Sequence, residues 1–206
     1  MRADERERVY GRDAYYWGTE PNELATETVE VVAADRDSPA VVDIGAGEGR
    51  DAVFFAERGW TVYAMDVSAN GLAKARRLAD ERNVSIRTLE ADANSVDLPE
   101  PVDIVYSIGT IQYIRPESRN GQFEHFKGQT TPGGVHALFA FVNHPEIPTP
   151  PDWTDNEHFY VPGELAAYYD DWDIETTEEI VFEDDSSGEP HEHAAETVIA
   201  RKPNDP

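Results

Sequence analysis

Apolar residues along the chain fall into short runs typical of buried strands, separated by longer stretches with helical spacing. Runs rich in β-branched and aromatic residues predict strands at 40–44, 60–65, 84–89, 101–108 and 135–142. Apolar residues three and four apart, with capping residues at the ends, predict helices at 21–34, 51–58, 69–82 and 123–129. Strands and helices that alternate in this order predict a doubly wound α/β domain with a mainly parallel sheet.

The end of the chain follows a different pattern. A proline-rich stretch at 143–160 predicts a long loop, and loops of this length in a compact domain are often binding elements. Pro162 suits the first turn of a helix that runs to residue 169. Strands are predicted at 172–182 and 195–201, and the acidic, turn-rich residues 183–190 join them. We therefore expect an antiparallel hairpin at this end of the chain.

The length of 206 residues suits one compact domain, and no internal repeat indicates a second. We predict a single domain over 1–206, in which residues 1–34 form a helical cap or lid and residues 35–206 form the core. The cap contains the neighbouring aromatic residues Tyr16 and Trp17. These rings either pack a helix against the domain or cover an active site, where they would exclude water.

The glycine-rich segment 43–49, Asp-Ile-Gly-Ala-Gly-Glu-Gly, lies between the first predicted strand and the following helix. Its glycines allow a tight turn and a close approach of a ligand to the backbone. Asp66 follows the second strand, where a carboxylate can accept hydrogen bonds from both hydroxyls of a ribose. The helix N-terminus beside the turn suits a negatively charged or polar group of the same ligand. This pattern predicts a nucleotide site.

The glycine spacing indicates which nucleotide binds. A dinucleotide-binding turn has the order G-x-G-x-x-G, but here Gly49 takes the fifth position and Arg50 the sixth. A nicotinamide-dependent oxidoreductase is disfavoured by this order and by the absence of a Tyr-x-x-x-Lys pair. Asp43 extends the turn to D-x-G-x-G-x-G, which resembles motif I of the class I S-adenosylmethionine-dependent methyltransferases. A tight turn that binds no ligand is the simpler alternative.

A narrower resemblance runs from Tyr15 to Lys202. The segments 43–52, 54–59, 16–18 and 190–194 are similar to the tellurite-resistance (TehB-like) small-molecule methyltransferases. This resemblance implies a Rossmann-like, seven-stranded sheet of order 3-2-1-4-5-7-6 with the last strand antiparallel. It also implies S-adenosyl-L-methionine as the cofactor.

The resemblance assigns roles to individual cofactor residues. Asp43 orients the methionyl amino group, Asp66 holds the ribose, and Asp92 with Ala93 holds the adenine. Arg50 either meets the cofactor carboxylate or forms an ordinary surface salt bridge. The expected cofactor-binding set is Asp43, Gly45, Ala46, Gly47, Gly49, Arg50, Asp66, Val67, Asp92, Ala93 and Ser107.

Methyl transfer by in-line displacement needs alignment of the reactants, exclusion of water and dispersal of charge. A general base is needed only for an acceptor that holds its proton near neutral pH, so a thiolate or a metalloid oxyanion needs none. The resemblance implies a small acceptor of the thiol, metalloid or thiopurine kind. A domain that binds the cofactor without catalysis is the alternative. The candidate acceptor-side residues are Tyr16, Trp17, Tyr113, His191 and His193.

His191 and His193 are two residues apart, so on a strand their side chains point to the same face. A zinc site would need a third ligand from elsewhere, such as His158 or His144, and we predict no metal. The two histidines are either exposed on the hairpin or act in the acceptor site, as a base or a positive contact.

The formal net charge of −25 is the most unusual bulk property of the chain, which contains only three lysines. Salt screens such self-repulsion, so we expect a protein from a halophile. The charge also predicts no nucleic-acid partner, because no basic patch meets phosphates. Cysteine is absent, and no apolar run resembles a signal peptide or a membrane span. We therefore expect a cytoplasmic enzyme without a membrane partner.

Overall fold

A computed structural model describes the chain except residues 1–2, 33–37, 99, 152, 186–187, 189 and 205–206. Its strands are β1 (Ala40–Ile44), β2 (Thr61–Asp66), β3 (Arg87–Glu90), β4 (Val102–Ser107), β5 (Thr130–Phe141), β6 (Asp173–Asp184) and β7 (His191–Arg201). They form one seven-stranded sheet of order β3-β2-β1-β4-β5-β7-β6. The strands from β3 to β5 pair in parallel, whereas β7 runs antiparallel to both β5 and β6. The predicted fold class and strand order are confirmed.

The helices are α1 (Ala3–Tyr10), α2 (Glu23–Val32), α3 (Arg50–Ala56), α4 (Ala69–Glu81), α5 (Pro116–Gln129) and α6 (Glu164–Ala167). A 3-10 turn, Ile111–Tyr113, precedes α5. Alternate residues of the strands bury opposite faces of the sheet, as the two-residue period of a strand requires. Val42 and Val105 pack in one core cluster with Phe123 of α5, and Ile104 packs in a second with Phe55 of α3. Among the described helices, none combines the length and apolar character that a bilayer crossing requires.

Several predicted boundaries are wrong, each for a local physical reason. β7 begins at His191 instead of 195, because ladder pairing with β6 continues to Asp184↔His191 despite the polar side chains. α5 begins at Pro116 instead of 123, with the proline in the first helical turn, where its missing N–H costs nothing. β5 begins at Thr130, so the predicted turn at 131–134 belongs to the strand.

Two shorter elements also differ from their predictions. β3 begins at Arg87 instead of 84, and α6 covers only Glu164–Ala167 of the predicted 162–169. The helix predicted at 21–34 is described to Val32. Its last two predicted residues, and the first part of the predicted connector at 35–39, lie outside the described residues. The division into a cap at 1–34 and a core at 35–206 stays a prediction.

The strand directions determine where a site can form. The parallel strands β1, β2, β4, β5 and β6 all end at one edge of the sheet, and the antiparallel β7 begins there. Open α/β sheets bind ligands in the crevice outside this carboxyl edge, at the point where the strand order reverses. In this sheet the reversal falls between β1 and β4.

Candidate active site

The glycine turn after β1 is held against the neighbouring strand by its own backbone. The N–H groups of Gly45 and Ala46 both donate to the carbonyl of Met65, at 2.7 and 2.9 Å. Gly45 has a φ of +84°, and a Cβ atom placed there would lie 1.8 Å from Oγ1 of Thr110. Only glycine fits this position, because the turn touches the segment that follows β4.

Gly49 has a different structural role from Gly45. It is the N-cap of α3, with a φ of +88°, and a Cβ atom there would lie 2.5 Å from Cβ of Ala75 in α4. Its small size therefore permits close packing of α3 against α4. Gly49 was predicted to contact the cofactor, but it does not line either cavity described below.

Three buried aspartates lie around the turn. Burial, and then the neighbouring Asp51 and Asp66, raise the pKa of Asp43 well above its ordinary value. Burial also raises the pKa of Asp51, whose carboxylate accepts hydrogen bonds from the backbone of Asn22 at 2.7 Å and the hydroxyl of Tyr106 at 3.1 Å. These aspartates make the wall of the cleft electronegative, which favours a ligand that carries positive charge.

Asp66, the residue predicted to hold the ribose, sits at the end of β2. Its carboxylate accepts hydrogen bonds from the N–H of Gly47 and of Ser68, each at 2.8 Å. These bonds connect the second strand end to the glycine turn and fix the direction of the carboxylate. Burial raises the pKa of Asp66 from its ordinary value.

Two cavities open at the carboxyl edge of the sheet, with volumes of about 340 and 460 Å³. They adjoin, because they share five wall residues, namely Arg6, Gly45, Asp66, Thr110 and Tyr113. The smaller cavity, here the nucleoside cavity, is lined on its far side by Val67, Asp92 and Ala93. Asp92 accepts two hydrogen bonds from Asn94, and the backbone bond of this pair is the main cause of its lowered pKa.

The larger cavity, here the acceptor cavity, extends from the glycine turn toward β5, β6 and β7. Asp43, Ala46, Gly47 and Arg50 line its near side. Its far side carries the aromatic and polar side chains at the strand ends, which are Phe139, Phe141, Trp153, Phe182, Asp184 and His193. Of the predicted cofactor residues, Ser107 lies outside both walls, because its hydroxyl donates to the carbonyl of Ile44 at 2.7 Å.

The predicted cap residues Tyr16 and Trp17 line the acceptor cavity and are partly exposed. Glu48 of the glycine turn holds them, since one carboxylate oxygen accepts the N–H of Tyr16 at 2.7 Å and of Trp17 at 3.1 Å. Its other oxygen pairs with Lys74 at 2.6 Å, and Lys74 also donates to the carbonyl of Ala14. This buried ion pair fastens the segment before α2 over the turn.

Tyr113 separates the two cavities. Its hydroxyl donates to Oε1 of Glu157 at 2.8 Å, and the guanidinium of Arg6 lies 4.5 Å from its ring centre. Burial raises the pKa of Tyr113, so the phenol keeps its proton near neutral pH and does not act as a base.

The two predicted histidines lie together at the start of β7. Nε2 of His191 is 3.0 Å from Nε2 of His193, which is 3.4 Å from Oδ2 of Asp184. Both imidazoles are largely buried, so they are not exposed hairpin residues. His193 lines the acceptor cavity, whereas His191 lies behind it.

These three side chains offer donor atoms within 4.8 Å of one another, which is the spacing of a metal site. However, Nε1–H of Trp153 donates to Nδ1 of His193 at 3.2 Å, which places the proton of the neutral ring on Nε2. A metal bound at Nε2 would require the opposite tautomer. The absence of a metal stays a prediction, and the third residue of the group is Asp184 instead of the predicted His158 or His144.

Sequence reasoning missed several residues of the acceptor cavity. The sequence does contain a signal for Phe139 and Phe141, because they lie near the end of a predicted parallel strand, where ligands bind. Asp184 and Phe182 were assigned to the turn and to the end of a strand, and nothing in one sequence places them beside β5. Gln112 was not missed, because the sequence predicts that it faces the reacting methyl group together with Tyr113, and it is buried in the wall of the cavity.

The residues present fit S-adenosylmethionine. The acidic wall suits its positive charges, Asp66 suits a ribose, and the backbone of Gly45 lines both cavities. The family model described as "Methyltransferase domain" matches residues 41–134. The "Probable S-adenosyl-L-methionine-dependent methyltransferase TehB" of Haemophilus influenzae is 25% identical over 197 residues, covering 94% of this chain and 68% of that protein.

These findings support a TehB-like, S-adenosylmethionine-dependent methyltransferase. The crystal structure of TehB from Haemophilus influenzae superposes with a TM-score of 0.80 at 22% identity, covering 96% of this chain and 67% of that one. The predicted family, enzyme class and cofactor are thus confirmed. The "Release factor glutamine methyltransferase" of Chlorobaculum tepidum is 37% identical over 130 residues, covering 50% of this chain and 44% of its own length. Similarity to these proteins therefore does not identify the acceptor of this methyltransferase.

Proposed function

We propose that this methyltransferase transfers the methyl group to a small-molecule acceptor in the acceptor cavity. The observation that carries the proposal is a cavity of about 460 Å³ that adjoins the nucleoside cavity and is walled by aromatic rings. Pockets of roughly 300–1,000 Å³ with apolar walls and a few polar groups are typical of small ligands. The net charge of −25 further disfavours a nucleic acid as the acceptor.

The cofactor residues act by binding and orientation. We propose that Asp66 accepts both ribose hydroxyls, that Asp92 and Ala93 face the adenine, and that Asp43 orients the ammonium group. When bound, S-adenosylmethionine supplies a methyl group on a positively charged sulfur, which leaves as a neutral thioether after transfer. The chain contributes alignment of the acceptor and exclusion of water. We propose that Tyr16 and Trp17 exclude water from the cavity.

The sequence-based acceptor classes, thiols and metalloid oxyanions, remain proposals. A methyl-transfer assay over a panel of thiols, amines, selenite and tellurite, run in molar KCl, tests them together. We expect at least one small acceptor to consume the cofactor, and Asp66→Ala to weaken cofactor binding by about a hundredfold through lost charged hydrogen bonds. The matched control is Asp80→Ala, an exposed aspartate on α4. Cofactor binding without turnover on any small acceptor would contradict the proposal and favour a binding domain.

A further inference from the structure

We propose that the acceptor cavity takes a nitrogen acceptor, an amine or an N-heteroaromatic molecule, whose N–H points to Asp184. This inference rests on the proposed function and names the acceptor class for the same site. Three properties of the cavity wall support it: the aromatic faces, the carboxylates, and a buried oxygen that accepts no hydrogen bond from the described residues.

The far wall of the cavity is aromatic. The ring centres of Phe141 and Trp153 are 4.8 Å apart, and those of Phe141 and Phe182 are 6.1 Å apart. Phe159 lies behind Trp153, with 4.3 Å between their centres. Aromatic faces carry partial negative charge, so rings gathered in this way attract a positively charged nitrogen or stack with a planar heterocycle.

The charges in the wall favour the same ligands. The carboxylates of Asp184 and Glu157 line the cavity, while the described cations of its wall are Arg6 and Arg50. Arg50 lies 3.6 Å from Asp51 and donates to the carbonyl of Trp17, so its charge is already compensated. An oxyanion at the far wall would face carboxylates and ring faces, both of which repel it.

A buried hydrogen-bond acceptor in the wall favours a ligand that donates. The Nε2 group of Gln112 donates to the carbonyl of Gly109 at 2.7 Å, which fixes the orientation of the amide. Its Oε1 is buried and has no hydrogen-bond partner in the described part of the chain. An N–H group can satisfy this oxygen, whereas selenite or tellurite in its fully ionised form has only acceptors to offer.

The histidine pair completes the site by lying beside the Asp184 carboxylate, which receives a proton. Because Trp153 donates to Nδ1 of His193, the Nε2–H of His193 points toward Asp184 and His191. A nitrogen that binds as an ammonium ion first gives one proton to the Asp184 carboxylate, which releases it to solvent, and this frees the nitrogen lone pair. The lone pair then forms the new N–CH₃ bond as the S–CH₃ bond breaks, and the electron pair of the S–CH₃ bond stays on sulfur. The surplus proton of a primary or secondary amine passes to the Asp184 carboxylate, and from there to solvent.

Isothermal titration of two isosteric probes tests the inference. Tryptamine and indole-3-propionate share a ring and a chain length but carry opposite charges, and 3-ethylindole serves as the neutral analogue. Each is titrated into the protein already saturated with S-adenosylhomocysteine, and sodium tellurite is titrated in parallel. We expect tryptamine to bind about tenfold more tightly than either analogue. Binding of S-adenosylhomocysteine is measured first, so its failure overturns the proposed function, whereas a failure of the probes alone overturns this inference.

Two variants make the test specific. Asp184→Asn should reduce the preference for tryptamine about tenfold while binding of S-adenosylhomocysteine is unchanged. The matched control is Glu183→Gln, the exposed neighbour on the opposite face of β6, which should leave both ligands unaffected. Phe182→Leu, which keeps the carboxylate, should weaken tryptamine severalfold. Equal binding of the analogues, tighter binding of indole-3-propionate or tellurite, or no binding of tryptamine would each overturn the inference.

Discussion

Gly45 shows at the scale of one residue why the turn needs its glycine. Ala at this position would place Cβ against Thr110 and would hold a φ of +84°. We expect Gly45→Ala to cost at least about 2 kcal/mol of unfolding free energy and to weaken cofactor binding, because the turn must move. Gly121→Ala on α5 is the control, since nothing lies within 4 Å of its Cβ, and it should gain about 0.5–1 kcal/mol. Urea unfolding of both variants checks this, and equal effects would contradict it.

Asp43 gives a prediction that depends on pH. Its pKa is raised in the folded protein, so its contribution to stability is full below the ordinary carboxyl value near 4 and is lost as the pH rises through the raised value. Asp43→Asn cannot ionise. We therefore expect this variant to gain stability relative to the parent as the pH rises from about 4 to about 8, without cofactor present.

Chemical unfolding at several pH values measures that difference. We also expect Asp43→Asn to bind the cofactor less tightly, because a neutral amide attracts an ammonium group less than a carboxylate does. A stability difference that stays constant with pH would show that folding does not raise the pKa of Asp43.

The site residues that the sequence predicted best are those that lie at or just after the end of a strand. Asp43 is next to the last residue of a predicted parallel strand, Asp66 and Asp92 follow such strands, and all three line the cleft. Ser107 meets the same description but turns into the sheet, since its hydroxyl bonds to Ile44. Which way a side chain points depends on strand register, and register is set by partner strands that a single sequence does not identify.

At the scale of elements, the ion pair of Glu48 and Lys74 fastens the segment before α2 to the core. Lys74→Met removes one partner and leaves a buried carboxylate, so we expect a loss of about 3 kcal/mol. It should also raise hydrogen exchange at residues 14–17, which Glu48 and Lys74 hold. The double variant Glu48→Gln, Lys74→Met removes the uncompensated charge and should recover part of the stability. If it recovers none, the carboxylate is not the cause of the loss.

The boundaries of helices and strands were predicted well where burial determines them. They were predicted poorly where hydrogen bonding between strands determines them. β1 matches its predicted range because it is apolar and buried. β7 extends to His191 because hydrogen bonds to β6 continue through polar residues, which hydrophobic pattern does not register. This extension is what brings His193 to the cavity.

At the scale of the whole molecule, the net charge of −25 dominates. Like charges repel one another less as salt shortens the screening length from roughly 30 Å at 0.01 M to about 3 Å at 1 M. We expect the melting temperature to rise between low and molar KCl, and sucrose that gives the same water activity to raise it less. A melting temperature that does not respond to KCl would contradict adaptation to salt.

The central claim is that the cleft beside Gly45 binds the adenosyl cofactor through Asp66. Calorimetric titration with S-adenosylhomocysteine, alongside NADH, tests it most directly. We expect S-adenosylhomocysteine to bind at one site per chain, NADH to bind far more weakly, and Asp66→Ala to lose about a hundredfold in affinity. Equal binding of the two ligands, or an Asp66→Ala variant with unchanged affinity, would contradict the account.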